Sequence, residues 1–191
     1  MTPADTARAP IDVSPPGWSY NPSQWGQRIP IVALAIIGGV AATWLALFQE
    51  GGVATVWEPF FGDGTRRIVL ESSFSQMFES WPIGDAGIGA LGYLADAVTG
   101  VIGGVNRWKT MPWIVIVFGV FVGPFGMISV MLTIFQPVLY DAFCTLCLIS
   151  GVVSLAMIGP AADEVLASLQ HLRRVKDQGR SVWGAFWGRH R

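Results

Sequence analysis

The amino-acid sequence predicts an all-α membrane protein, a four-transmembrane-helix bundle with an outer segment capping one end and a C-terminal amphipathic helix. Hydrophobic residues make up 52% of the 191 residues and charged residues only 13%. This charged share is roughly half that of an ordinary soluble domain. Long stretches also lack charge, and a helix needs about 20 apolar residues to cross ~30 Å of hydrocarbon. The chain is therefore expected to be an integral membrane protein.

Four apolar segments are the predicted spans of one transmembrane domain, 29–159, and they cover residues 29–48, 86–105, 111–135 and 137–159. The second is rich in glycine and alanine, which favours close helix packing inside a bundle over contact with lipid. The third contains Gly123-Pro124, which favours a bend. We expect the fourth to begin at Pro137 and to end at Gly159-Pro160.

Three segments flank or connect these spans. Residues 1–28 are rich in proline and polar residues without an apolar period, which predicts a disordered cytoplasmic tail rather than a signal peptide. Residues 50–85 form an acidic outer segment with a half-helix over the bundle mouth. Residues 160–191 are predicted to be a cytoplasmic amphipathic helix and tail.

The distribution of lysine and arginine predicts the orientation. Arg107 and Lys109 in the loop between spans two and three, and the basic C-terminal segment, should face the cytoplasm. Both termini are then cytoplasmic, and the start of the fourth span faces the periplasm if the chain resides in a bacterial inner membrane. The net charge of −1 gives no reason to expect nucleic acid as a partner; the partner that composition predicts is membrane lipid.

The stretch "YDAFCTLC" contains the only two cysteines, Cys144 and Cys147. Residues three apart share a face of a helix, so the two thiols can form a disulfide, and a helix start favours the reactive thiolate. A redox pair is the favoured interpretation. Two alternatives are apolar packing inside a membrane helix and half of a zinc site shared between subunits, since zinc needs four ligands.

Four spans, a Cys-x-x-Cys pair at the outer end of the fourth and the preceding "VLYD" resemble the vitamin K epoxide reductase family in its bacterial form. The resemblance covers about residues 29–159, and "YDAFCTLC" is its most specific part. It implies a four-helix bundle around a quinone, in which quinone reduction is coupled to disulfide formation. Cys147 would then face the quinone, and Cys144 would exchange with an external dithiol.

The same resemblance, applied to "FSQMFES", places Ser80 near the quinone. Tyr93 and Asp96 are further polar groups that we expect to bind it from the bundle interior. Asp96 lies near the middle of the second span, where ionisable groups are rare and usually functional. It either supplies a proton or hydrogen bond to the quinone or points into the cytoplasmic headgroups.

The sequence departs from the family pattern at two places. The outer segment contains no cysteine, whereas the family carries a second pair there, and Phe74 stands at the position of a shuttle cysteine. Gly151 replaces an aromatic hydrogen-bond donor one turn after the pair. The missing relay predicts that a thioredoxin-like dithiol protein or a small thiol contacts Cys144 directly.

Two functions of other classes stay open. The chain is alternatively a non-catalytic membrane subunit of the same fold whose cysteines are structural or vestigial, as the missing shuttle cysteines suggest. A small transporter is a third interpretation, based on Asp96 and the glycine-rich second span alone.

Overall fold

The computed structural model describes residues 14–62 and 84–189. Within these two ranges every regular element is a helix, as the sequence predicts. In chain order the elements are α1 (Trp25–Gln49), α2 (Asp85–Val101), α3 (Arg107–Thr110), α4 (Pro112–Val120), a π-helical turn (Phe121–Phe125), α5 (Gly126–Tyr140), α6 (Thr145–Asp177) and α7 (Val182–Phe186).

Three helical stretches are long and apolar enough to cross a membrane, namely α1, the continuous run Pro112–Tyr140, and α6. The helix at the predicted second span, α2, has 17 residues and is only about 25 Å long. The described part of the chain therefore contains three candidate spans, where the sequence predicted four.

Helix α2 nevertheless lies antiparallel to α1 and reaches the level of both of its ends. Near its start, the backbone N–H of Ala86 donates to Oε1 of Gln49 at 3.2 Å. Near its end, Nε of Arg28 donates to the carbonyl oxygen of Gly100 at 2.9 Å. These contacts align α2 with nearly the whole length of α1.

Helix α6 connects the same two levels. Cys144, just before its first residue, packs beside Leu45 of α1, while Glu164 pairs with Arg107. The stretch from Cys144 to Glu164 rises about 30 Å at ~1.5 Å per residue, which matches the thickness of the hydrocarbon layer. We call these two levels the cysteine end and the arginine end.

Glycines bring α1 and α2 into close contact, as the composition of the second span predicts. A Cβ atom at Gly38 of α1 would lie 2.5 Å from the ring of Tyr93, and one at Gly100 of α2 would lie 2.8 Å from Val32. Neither position has room for a larger side chain. Small residues of this kind let helix backbones approach closely in membranes.

The arginine end is held by a buried ion pair. Nε and Nη2 of Arg107 donate to the two carboxylate oxygens of Glu164, both at 2.5 Å, and both side chains are almost fully buried. Arg28 and Arg107 also donate to carbonyl oxygens at the C-terminal end of α2, those of Thr99, Gly100, Ile102 and Gly103. Arg107, which the sequence predicted to be a loop charge facing the cytoplasm, is therefore buried.

The third apolar segment contains the irregularity expected at Gly123-Pro124. Both residues lie within the π-helical turn Phe121–Phe125. Proline lacks a backbone N–H and cannot continue the regular hydrogen-bond ladder, so one turn of the helix widens while the helix continues into α5.

The predicted boundary between the third and fourth spans is wrong. Pro137 does not begin the fourth helix but lies inside α5, which continues to Tyr140. The helix ends at Asp141, whose left-handed conformation (φ 46°) reverses the chain. Asp141 therefore closes α5, and α6 begins only at Thr145.

The predicted end of the fourth span at Gly159-Pro160 is also wrong. Helix α6 continues through Pro160 to Asp177 and has 33 residues, so residues 160–177 are not a separate amphipathic helix. Residues beyond the proline, such as Ala161 and Ala167, stay buried, and this packing outweighs the loss of one helical hydrogen bond. The chain turns at Gly179 (φ 70°) before α7.

The disordered tail predicted for residues 1–28 is wrong for its described part. Trp18 donates from Nε1 to Oε1 of Gln170 at 2.9 Å, and the Tyr20 hydroxyl donates to Asp163 at 2.5 Å. Arg28 already belongs to α1. These side chains bind to the C-terminal half of α6, and sequence composition does not predict this contact. Residues 1–13 lie outside the described range.

We predict that Arg107→Ala strongly destabilises the protein. The change leaves the carboxylate of Glu164 buried without its cation, which typically costs about 3–5 kcal/mol. Thermal unfolding of the purified protein in detergent measures the loss. Lys109→Ala on the same short helix is the matched control and should change stability by less than about 1 kcal/mol; equal effects of the two variants would contradict the prediction.

Candidate functional site

The two cysteines lie side by side at the start of α6. Cys144 is the N-cap residue, in an extended conformation, and Cys147 lies in the first turn. Their Sγ atoms are 2.6 Å apart, and the backbone N–H of Cys147 also donates to Sγ of Cys144 at 3.4 Å. Both are free thiols. This proximity allows the pair to interconvert between dithiol and disulfide without rearrangement of the helices.

The two thiols differ in exposure. Cys144 has an exposed fraction of 0% and belongs to a core cluster with Leu45, Val56 and Leu146, whereas Cys147 packs against the edge of that cluster and is only partly buried. A reagent from the aqueous side would therefore need a local opening to contact Cys144.

Helix α5 supports the pair through two polar side chains. Gln136, which is buried, accepts a hydrogen bond at Oε1 from the backbone N–H of Cys144 at 3.1 Å. The Thr133 hydroxyl donates to the carbonyl oxygen of Cys147 at 3.3 Å. Gly151 allows this contact, because a Cβ there would collide with Thr133. Thr133 of α5 therefore occupies the space in which an aromatic donor at position 151 was expected.

The described start of the outer segment covers the pair. Val56 is buried in the same apolar cluster as Cys144, and the ring of Phe61 stacks on that of Phe143 with centroids 4.9 Å apart. Between them, Glu58 accepts hydrogen bonds from both the backbone N–H (2.7 Å) and the hydroxyl of Thr145. The carboxylate of Glu58 therefore caps the N-terminus of α6, where an anion is favoured.

Tyr93 lies one helical turn deeper in the bundle than Cys147. Its hydroxyl lies 2.8 Å from the carbonyl oxygen and from Oγ of Ser150, and 2.7 Å from Oγ of Ser154. Ser150 is one turn after Cys147 on α6, so these hydroxyls form a polar cluster in an apolar interior. The structure thus brings Tyr93 close to the cysteine pair through α6.

Asp96 is buried in α2, one turn further from the cysteine end than Tyr93, with 5% of its surface exposed. Its Oδ1 atom has no hydrogen-bond partner among the residues that the structure describes. A buried polar atom without a partner is costly, so it marks a place where a ligand or proton could be accommodated. The Asp96 side chain is therefore buried among the helices and is not exposed at the protein surface.

Ser80, the third residue predicted to bind the quinone, lies outside the described residues, as does Phe74. Nothing in the structure therefore tests their positions. Among residues 14–62 and 84–189 there is also no group of three histidine, cysteine or acidic side chains that could hold a metal ion.

Sequence reasoning missed two residues beside the pair, Glu58 and Gln136. Glu58 contacts Thr145 of α6 from 87 positions away along the chain, whereas Gln136 contacts Cys144, which is only 8 positions away. One signal was present in the sequence: Gln136 is a polar side chain between two apolar segments of the chain. No signal in the sequence indicated Glu58, because it is one of several acids in an acidic segment.

The helices and the site define a polytopic α-helical membrane protein with a buried cysteine pair at one end of its bundle. The model of the vitamin K epoxide reductase family matches residues 29–161, which is more than half of the chain, so the chain belongs to this family. Membership implies a membrane protein of the disulfide-oxidoreductase type in general. No curated protein and no solved structure matches the chain.

We predict that Gln136→Leu destabilises the junction between α5 and α6. The variant leaves the buried backbone N–H of Cys144 without an acceptor, which costs about 1–3 kcal/mol. Chemical unfolding in detergent, followed by tryptophan fluorescence, gives the loss of free energy. Gln178→Leu, at an exposed position after α6, should have almost no effect, and a neutral Gln136→Leu would show that this hydrogen bond does not hold the junction.

Proposed function

We propose that the chain is a quinone-linked thiol–disulfide oxidoreductase whose reactive groups are Cys144 and Cys147. The observation that carries this proposal is the 2.6 Å separation of the only two cysteines at the start of α6, in a chain of the vitamin K epoxide reductase family. In this proposal the cysteine end faces the periplasm of a bacterial inner membrane, and both termini are cytoplasmic. Helix α2 also crosses the membrane, which brings the number of spans to four.

The proposed exchange begins with the oxidised pair. A thiolate of an external dithiol attacks Sγ of Cys144, a new S–S bond forms and the Cys144–Cys147 bond breaks, so Cys147 leaves as a thiolate. The second thiol of the substrate then attacks its own sulfur in the mixed disulfide and releases Cys144. The substrate leaves as a disulfide, and the pair holds two electrons and two protons more than before.

A bound quinone would supply the oxidising power by taking up two electrons and two protons when the pair returns to a disulfide. The residues present fit such a group: the hydroxyl cluster around Tyr93 lies one turn from Cys147, and Asp96 has an unpartnered buried oxygen one turn further in. Tyr93 would orient a quinone carbonyl by donating a hydrogen bond, and Asp96 would hold a proton. Ser80 is proposed as a third contact on the family resemblance alone.

The dithiol partner is proposed to be a thioredoxin-like protein outside the membrane. No cysteine precedes Cys144 in the sequence, so no other thiol of this chain can relay electrons to the pair. An external dithiol must therefore contact Cys144 itself, and the burial of Cys144 requires a local opening for that contact.

A second candidate function is that of a non-catalytic membrane subunit with the same fold. Two observations favour it: Cys144 is fully buried, and the contact between Gly151 and Thr133 fills the position of the expected aromatic donor. In such a subunit the pair would form a structural disulfide or stay reduced.

Mass tagging of the thiols in native membranes distinguishes the two candidates. After mild reduction, the wild-type pair should become resistant to a maleimide tag again only when a quinone is added. With the tag added after denaturation, the Cys147→Ser variant should be tagged at Cys144 under all conditions. A pair that keeps one redox state with and without quinone would favour the non-catalytic subunit.

We expect Asp96→Asn to slow the quinone-dependent reoxidation of the pair by about 100-fold or more, since a positioned proton donor typically contributes 10²–10⁴-fold. The rate is followed by quenching with the thiol tag at timed intervals. Asp177→Asn, an exposed acid at the end of α6, is the matched control. A normal rate in Asp96→Asn would remove Asp96 from the mechanism, while a normal melting temperature would show that the slow rate does not reflect misfolding.

A further inference from the structure

The structure contains a long-range contact beside Cys144. Glu58, in the segment after α1, accepts two hydrogen bonds from Thr145, the residue that follows Cys144. The two ends of this contact lie 87 positions apart in the chain. It is therefore a tertiary contact that attaches the outer segment to the start of α6, directly beside the buried thiol.

Apolar contacts on both sides of Glu58 close the segment over the thiol. Val56 belongs to the same buried apolar cluster as Cys144, and Phe61 stacks on Phe143, the residue before Cys144. Around them the segment is exposed: Trp57 and Phe60 have exposed fractions of 58% and 76%. We call residues 56–61 the cover, and its residue Glu58 is joined to α6 by the two hydrogen bonds from Thr145.

The exposed neighbours of Glu58 indicate that the cover can move away from Cys144 with little loss of packing. Residues 50–61 contain no regular helix or strand beyond α1, so no ladder of backbone hydrogen bonds has to break when the segment moves. The bonds that Thr145 donates to Glu58 hold the segment at α6, and bonds to a carboxylate are roughly twice as strong as neutral ones.

We propose that Glu58 is a positioning residue that controls access to Cys144, by holding residues 56–61 closed over the thiol through Thr145. An incoming dithiol reaches Cys144 only when the contact between Glu58 and Thr145 opens. The inference gains its functional meaning from the proposed oxidoreductase activity, in which Cys144 is the sulfur that exchanges. The control of access itself does not depend on a quinone.

The test measures how fast Cys144 is alkylated when it is the only thiol, in the Cys147→Ser background, in membranes. Two maleimides are compared, the small N-ethylmaleimide and a bulky polyethylene glycol maleimide. Glu58→Ala should accelerate the bulky reagent at least tenfold and the small reagent much less. A size-dependent gain reports access, because a change in thiolate content alone would accelerate both reagents equally.

Thr145→Val tests the contact from its other side and keeps the charge of Glu58. It should also accelerate the bulky reagent, by a smaller factor because the backbone N–H of Thr145 still donates to Glu58. In the Glu58→Ala background, Thr145→Val should add nothing. Glu50→Ala is the matched control: its carboxylate accepts from the backbone N–H of Gly84 at 3.4 Å, at the same end of the bundle, and its removal should not change either rate.

Three outcomes would overturn the proposal. These are an unchanged rate in Glu58→Ala, an equal gain for both reagents, or an equal gain in Glu50→Ala. If Glu58→Ala does not fold, Thr145→Val alone decides. A gain in alkylation together with a pair that ignores quinone in the mass-tagging experiment would leave the access control intact and refute the oxidoreductase function.

Discussion

The ion pair between Arg107 and Glu164 is the contact on which the arrangement of the helices depends. The last carbonyl groups of a helix have no partner within that helix, and those of α2 lie beside two buried arginines. Arg107, together with Arg28, donates to those carbonyl oxygens, while Glu164 neutralises one of the two cations. One cluster of charges thereby fixes where α2 ends, how deep α6 lies and how α1 begins.

The depth of α6 in turn places the cysteine pair. With Glu164 held at the arginine end, the first turn of α6 lies about 30 Å away, beside the end of α1 and the start of the outer segment. The polar groups between the two ends, around Tyr93 and Asp96, are held at intermediate depth by the same packing. The redox pair and the groups proposed to bind a quinone are thus positioned by one helix and its ion pair.

The departure from the family pattern has a structural counterpart at the cysteine end. Where relatives are expected to carry a second cysteine pair, the described start of this outer segment offers a carboxylate that binds to Thr145. Cys144 is then protected rather than supplied with electrons from within the chain. In the proposed oxidoreductase, such a cover would let Cys144 exchange with its partner and would limit its reaction with other thiols.

The membrane class, the apolar segments and the proximity of Cys144 and Cys147 could be predicted from sequence, because hydropathy and three-residue spacing are local properties. The predicted limits at Pro137 and Gly159-Pro160 were wrong, since packing against neighbouring helices outweighs the local effect of a proline. The burial of Arg107, the cap formed by Glu58 and the unpartnered oxygen of Asp96 were decided only by the tertiary structure. Each depends on residues far apart in the chain, and no local pattern records which side chains meet across a fold.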